Sequence, residues 1–270
     1  PMLFRPKKNA KRLNLSADRM GMPNFPEELF VEGLKQLVAV EQPWIPPQAG
    51  SALYLRPFMY ADEPFIGMRA ATSFKFIIIA SPSGPFFTKR IKLYAETKYI
   101  RAAEGGTGEA KAAGNYAASF YPARLAQEKG YQQVVWTDAA NHEFLEEAGT
   151  MNVFFRVNDT LLTAPTSDRI LDGVTRKSII ELAKSEGIDV EVRKVRVNEI
   201  VEAARKGELL EMFGAGTAAV ISPILGFSNG DESFELPKPE KSYATFLKKR
   251  ITDIQRNVAE DTFGWTYKVV

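Results

Sequence analysis

The 270-residue sequence predicts a mixed α/β chain in two domains. Three observations carry that expectation. Strand-like and helical patterns alternate through the second half. The first half holds one clear helical pattern followed by two strand-like stretches. A Pro/Gly-rich connection at 82–87 (PSGPFF) separates the halves. The expected division is a small domain over 1–84, a connection over 85–96 and a larger domain over 97–270.

The elements follow in chain order. MLFRP, at 2–6, reads like the interior of a strand. Residues 8–20 carry lysines, arginines and a leucine pair without a clear pattern. Pro26, Glu27 and Glu28 open a helix, because proline suits the first turn and acids suit the positive end of the helix dipole. Leu29, Phe30, Leu34, Leu37 and Val38 continue it at helical spacing until Pro43, Pro46 and Pro47. Residues 51–57 (SALYLRP) alternate as a strand, which puts Tyr54 and Arg56 on one face. Residues 74–81 (FKFIIIAS) form a second strand whose continuous apolar centre predicts burial on both faces.

In the second half, 116–129 reads as a helix closed by Gly130. Residues 133–137 read as a strand, and 151–157 with 160–163 as a hairpin around Asn158 and Asp159. A helix over 174–185 ends at Gly187, a strand covers 190–195, and a helix over 199–206 ends at Gly207. Residues 211–224 hold two strands around a loop, Gly214-Ala215-Gly216-Thr217. Tyr243, Phe246, Leu247, Ile251, Ile254 and Val258 recur as one helical face, a packing stripe.

Composition narrows the chemistry. The chain is 45% hydrophobic and 25% charged, with a net charge of +2, as in ordinary globular proteins. No basic stripe with interleaved aromatics marks a nucleic-acid partner. There are no cysteines, so thiolate catalysis, disulfides and Cys-based metal sites are excluded. The sole histidine, His142, reads as a surface loop residue and leaves no histidine cluster for zinc. No apolar run approaches the ~20 residues that span a bilayer, so no membrane partner is expected. The absence of cysteine fits a cytoplasmic protein.

Residues 105–116 (GGTGEAKAAGNY) hold the chemistry-bearing candidate. Glycines on both sides of one lysine let the backbone approach a ligand closely and hold Lys111 in place. A lysine in a partly desolvated site loses its proton more easily and becomes a nucleophile toward carbonyl compounds, pyridoxal phosphate among them. The string is not a phosphate-binding Walker loop, because the lysine lacks the preceding glycine and following Ser or Thr. Alone, the same string also describes a plain turn beside a solvated charge. The paired Glu146 and Glu147 before a Gly-Thr turn read alone as a solvated corner, Arg19 as a surface cation, Tyr116 as a packed tyrosine, and Ile66 and Met68 as apolar packing.

GGTGEAKAAGNY closely resembles the lysine segment of branched-chain amino acid aminotransferases, fold type IV pyridoxal phosphate enzymes. The blocks EAGTMN, LDGVTR and GAGTA recur in that family's order. The resemblance implies a two-domain fold: a small α/β domain, and a larger domain with a mixed β-sheet or barrel and surrounding helices. It implies pyridoxal 5'-phosphate as cofactor, carried by Lys111. It assigns Tyr116 to the ring oxygen and Glu147 to the pyridine nitrogen, with Glu146 its solvated neighbour. It assigns Arg19, Val174, Thr175 and Thr217 to the phosphate. Tyr54, Arg56, Thr150, Thr217 and Ala218 would hold substrate, with Ile66 and Met68 reaching the pocket of a partner subunit in a homodimer. The implied reaction moves an amino group between leucine, isoleucine or valine and 2-oxoglutarate. Rival expectations are D-amino acid aminotransferase, aminodeoxychorismate lyase, or a fragment that binds cofactor without turnover. Family members usually carry a further segment before the position of Leu3, so the small domain is expected to be incomplete here.

Overall fold

The computed structural model describes residues 1–48, 50–84 and 91–269. They fall into two compact units, Pro1–Phe86 with Ile254–Val270, and Phe87–Asp253. The second carries the lysine segment.

In the first unit, β1 (Met2–Phe4) pairs antiparallel with β14 (Thr266–Lys268), Leu3 opposite Tyr267. This pairing groups 254–270 with the first unit, although the sequence places them in the larger domain. A helix the sequence did not announce, α1 (Pro6–Arg19), follows; it buries only Pro6, Ala10 and Ala17, too few large apolar residues to show a periodic stripe. The predicted second helix is α2 (Glu27–Val40), which buries Phe30, Leu34 and Val38. Strands β2 (Ala52–Ala61) and β3 (Phe74–Ser83) form a two-stranded antiparallel ribbon with Arg56 opposite Ile79. Burial of β3 on both faces does not occur. Phe76 and Ile78 pack on the cluster of Phe30, Leu34 and Val38, while Ile79 is exposed. A ribbon with a helical layer on one side has only one face to bury.

The second unit is built on a ten-stranded mixed sheet. Its strands are β4 (Ile91–Ala95), β5 (Gln133–Thr137), β6 (Phe144–Ala148), β7 (Met151–Val157), β8 (Thr160–Thr163), β9 (Asp189–Val192), β10 (Val195–Arg196), β11 (Leu209–Gly216), β12 (Val220–Ser228) and β13 (Ser233–Glu235). The order runs β10-β6-β5-β4-β12-β11-β7-β8-β9, and a further β6–β7 pairing closes the central strands into a barrel. Strand β4 pairs parallel with both β5 and β12, and β8 with β9; the remaining pairs are antiparallel. Of the expected 85–96 connection, 85–90 lie outside the described residues and 91–95 are this central strand. Leu93, Val135, Phe155, Met212 and Ile224 fill the core, with Ile200 and Val201 from a covering helix.

That helix is α6 (Val197–Arg205). The helix α5 (Val174–Ser185) buries Ile179, Leu182 and Ala183 on one face. Both end near the predicted glycines, Gly187 and Gly207, which take φ 74° and 72° as helix-terminating residues do. The predicted 116–129 helix is two pieces, α3 (Ala113–Ala117) and α4 (Phe120–Glu128). The predicted 190–195 strand is divided between β9 and β10, which pair with β8 and β6. Helix α7 (Tyr243–Gln255) buries Leu247, Ile251 and Ile254, whereas Phe246 and Val258 of the expected stripe are exposed. Val258 lies beyond the helix end, where the period no longer applies.

Candidate active site

Four segments of the second unit meet on the β6–β7 hairpin. Its register sets Glu147 opposite Asn152. Asn152 Nδ2 donates to Glu147 Oε2 (3.2 Å) and to the Leu171 carbonyl (3.0 Å), and the Leu171 N–H donates to the same Oε2 (3.1 Å). Gly173 then passes so close that an added Cβ would strike Asn152 Oδ1. Asn152 therefore seats the start of α5 beside Glu147.

Strand β11 lies along β7, Ala215 opposite Asn152 and Gly214 opposite Val153. The predicted loop Gly214-Ala215-Gly216 is strand; the turn begins at Thr217. The small residues serve packing, since a Cβ on Gly214 would meet Met151 Sδ at 2.5 Å. A Cβ on Gly216 would lie 3.7 Å from the Thr150 carbonyl oxygen. Thr150, Thr217 and Ala218 thus stand exposed on neighbouring turns.

The lysine segment is pinned at several points. Asn115 Nδ2 donates to the carbonyls of Thr107 (2.7 Å) and Ala110 (2.8 Å), and Thr107 Oγ1 donates to Asn115 Oδ1 (2.9 Å). Gly105 N donates to Asp168 Oδ2 (2.5 Å) and Glu109 N to the Asp168 carbonyl (2.9 Å). Gly108 must be glycine, because a Cβ there would meet Arg169 Cα at 2.7 Å and its carbonyl oxygen at 2.8 Å. Gly108 is buried, whereas Lys111 is exposed, not partly desolvated as the sequence suggests. Its Nζ donates to Tyr116 Oη at 3.0 Å.

Arg101, which no motif announced, joins these parts. Its Nη2 lies 2.8 Å from Glu147 Oε1 and donates to the Gly108 carbonyl (3.0 Å), while Nη1 donates to the Arg169 carbonyl (2.8 Å). Glu146 is not a solvated neighbour. It is 5% exposed and accepts from Arg169 Nε at 2.6 Å, and burial raises its pKa above the usual carboxylate range. The paired acids stand on a barrel strand that is covered on both sides, which no local pattern reveals.

Glu147 is 4% exposed, and burial pushes its carboxyl up to about 7. Arg101, the Leu171 N–H and the Lys111 charge oppose that rise, while Glu146 adds to it. A carboxylate so placed is suited to a cationic hydrogen-bond donor, which would hold it ionised. At the head of α5, Gly173 is the N-cap and offers no side-chain cap. The first-turn N–H groups there, with Val174 and Thr175, face an anion's requirements: free donors and positive potential. A reachable amine, a buried carboxylate with acceptor capacity beyond its pairing with Arg101 and an uncapped helix start fit the aldehyde, ring nitrogen and phosphate of pyridoxal phosphate.

The remaining predicted residues belong to the first unit. Tyr54 and Arg56 do share a face of β2; Arg56 Nη2 donates to Tyr54 Oη (3.4 Å) and the guanidinium lies 5.3 Å from the ring centre. Arg19 is exposed at the last residue of α1. Ile66 and Met68 are fully exposed, so simple apolar packing does not account for them. Their loop is held in shape by Glu63, which accepts from Arg69 Nη2 (2.5 Å), Arg69 Nη1 (3.2 Å) and Thr72 N (2.9 Å). His142 of the second unit lies in the loop between β5 and β6, as expected, and is half-buried with Nδ1 bonded to Thr137 Oγ1 (2.7 Å).

Of the residues that the sequence did not single out, Asn115 and Asn152 lie inside the recognised strings. Arg101, Asp168 and Arg169 lie outside them and carry no periodic or motif signal.

Comparison with known proteins adds an independent line. The sequence profile of the amino-transferase class IV family matches residues 1–226. Branched-chain-amino-acid aminotransferase 2 of Bacillus subtilis (strain 168) is 44% identical over 272 residues, covering 99% of this chain and 75% of that protein. Among solved structures, the Escherichia coli branched-chain amino acid aminotransferase superposes with a TM-score of 0.85 at 24% identity, over 100% of this chain and 86% of that one. The branched-chain amino acid aminotransferase from Thermobaculum terrenum, in its PLP-form, gives 0.79 at 20% identity, over 100% and 84%. At those identities the structures speak for the fold.

Proposed function

This chain belongs to the amino-transferase class IV family, and on that premise we propose how its residues divide the work. It is a pyridoxal 5'-phosphate-dependent aminotransferase that moves an amino group between leucine, isoleucine or valine and 2-oxoglutarate. The products are branched 2-oxo acids and L-glutamate. One observation of geometry carries the reading: the buried Glu147 is tied through Arg101 to the segment that presents Lys111.

When bound, the cofactor supplies an aldehyde for amines and a ring that accepts electrons from the substrate Cα. Lys111 Nζ holds it, then takes the proton from Cα and returns it during the second half of the reaction. Tyr116 Oη, already 3.0 Å from Nζ, orients the amine and donates to the ring oxygen. Glu147 keeps the ring nitrogen protonated. The N–H groups of Val174 and Thr175, the Thr217 hydroxyl and Arg19 hold the phosphate. Tyr54, Arg56, Thr150, Thr217 and Ala218 receive the substrate. Arg56 explains how a pocket for leucine also takes the side-chain carboxylate of glutamate, since a guanidinium pairs bidentately with a carboxylate.

Ile66 and Met68 support a homodimer. Two fully exposed apolar side chains on an internally braced loop suit the pocket of a second copy. In this reading residues 97–270 are the larger, cofactor-binding domain, and the protein works in the cytoplasm. No helix among the described residues is long and apolar enough to cross a membrane.

The test is spectroscopic. Protein mixed with pyridoxal phosphate should develop an absorption band that changes on adding L-leucine and returns with 2-oxoglutarate. A band that answers to D-alanine and not L-leucine, or no band, would overturn the assignment.

A further inference from the structure

Arg101 is given no contact with cofactor or substrate above, yet its guanidinium touches three separate parts of the site. It reaches Glu147 Oε1 on β6, the Gly108 carbonyl three residues before Lys111, and the Arg169 carbonyl in the segment that leads into α5. Its side chain is 8% exposed. A guanidinium is a rigid planar fork, so three acceptors held at 2.8–3.0 Å fix one another's places.

The acceptor inventory of Glu147 sharpens this. An ionised carboxylate offers about four lone-pair positions. Oε2 already receives Asn152 Nδ2 and the Leu171 N–H, and Oε1 receives Arg101. The position left over is on Oε1, beside Arg101. We infer that Arg101 is a positioning residue that locks the Lys111 segment to Glu147 and reserves the open Oε1 position for the ring nitrogen. This rests on the aminotransferase reading above.

A purely structural brace makes a different prediction. It would lower stability when removed but leave the titration of Glu147 where it was. Arg101 instead opposes, through its charge, the burial that drives Glu147 toward its neutral form. Removing the charge therefore moves the Glu147 midpoint upward. Keeping the charge while losing the fork moves it less, and still loosens the lysine segment.

The experiment uses the cofactor-free protein first. The carboxyl stretch of Glu147 is titrated by infrared difference spectroscopy, with Glu147→Gln as the subtraction reference. Arg101→Met is expected to raise the midpoint by one pH unit or more and to weaken pyridoxal phosphate binding at least tenfold. Arg101→Lys is expected to raise it by less, with binding still weakened several-fold. A midpoint that stays at the wild-type value in Arg101→Met overturns the proposal, even where melting temperature falls. If Arg101→Met does not fold, Arg101→Lys decides, and wild-type affinity in that variant overturns it. A wild-type protein without a cofactor band counts against the aminotransferase reading, whereas the infrared midpoints are read without cofactor.

Discussion

Replacing Glu147 by glutamine gives a signed and measurable effect on the cofactor-free protein. Burial raises the Glu147 carboxyl from its ordinary 4.5 to about 7. Between those values the folded protein holds a proton that the unfolded chain has released, so stability falls as pH rises. The contribution is fully present below the unfolded value and is lost as pH passes through about 7. At about 1.4 kcal/mol per pH unit the loss comes to about 3 kcal/mol. Glutamine keeps a carbonyl acceptor and does not titrate. Urea unfolding of both proteins at several pH values from about 5 to about 8 isolates Glu147 with its coupling to Glu146, because titrations elsewhere are common to both. The wild type should lose about 2–3 kcal/mol relative to Glu147→Gln across that range, mostly below about pH 7. With pyridoxal phosphate bound, a ring N–H supplies the missing partner and this relative loss should disappear. Parallel curves for the two cofactor-free proteins would refute the reasoning, since Glu147 would then titrate alike in the folded and unfolded states.

Other perturbations probe the same structure. Gly108→Ala drives a methyl into Arg169 and should cost about 1–3 kcal/mol by thermal or urea unfolding, with weaker cofactor binding as the lysine segment shifts. Gly114→Ala, within α3 where a Cβ meets nothing within 4 Å, should leave cofactor binding unchanged and raise stability by up to about 1 kcal/mol. Arg156→Met breaks the buried pair with Glu211 (3.0 Å), which accepts from Ser242 Oγ and from the Tyr243 N–H at the start of α7. It should destabilise by about 3–5 kcal/mol, and adding Glu211→Gln should recover part of that in a double-variant cycle. Lys111→Ala should abolish the cofactor band and lower turnover by at least about 10²–10⁴-fold, the range for loss of a positioned proton carrier. Near-normal single-turnover rates would contradict its role.

Much of this protein was legible because neighbours in the chain carry the signal. The hairpin 151–163 was marked by alternation and by Asn158, which takes φ 52° at the turn. Helix α5 was marked by its terminal glycine, and the lysine segment by its glycines, of which Gly108 approaches Arg169 too closely for a Cβ. Strand β4 was hidden behind the Pro/Gly run before it, although it is central to the barrel. Gly214 looked like part of a loop because the side chain of Met151 that needs its space lies in another strand.

The family, helices α2, α5 and α6 and the 151–163 hairpin were determined by the sequence alone, because propensity and motif are local properties. Tertiary structure decided that Glu146 is buried against Arg169, that Arg101 reaches Glu147, and that β6 closes on β7. Burial and pairing are properties of what lies across the fold. A carboxylate or guanidinium is written identically in a sequence whether water or a barrel wall surrounds it.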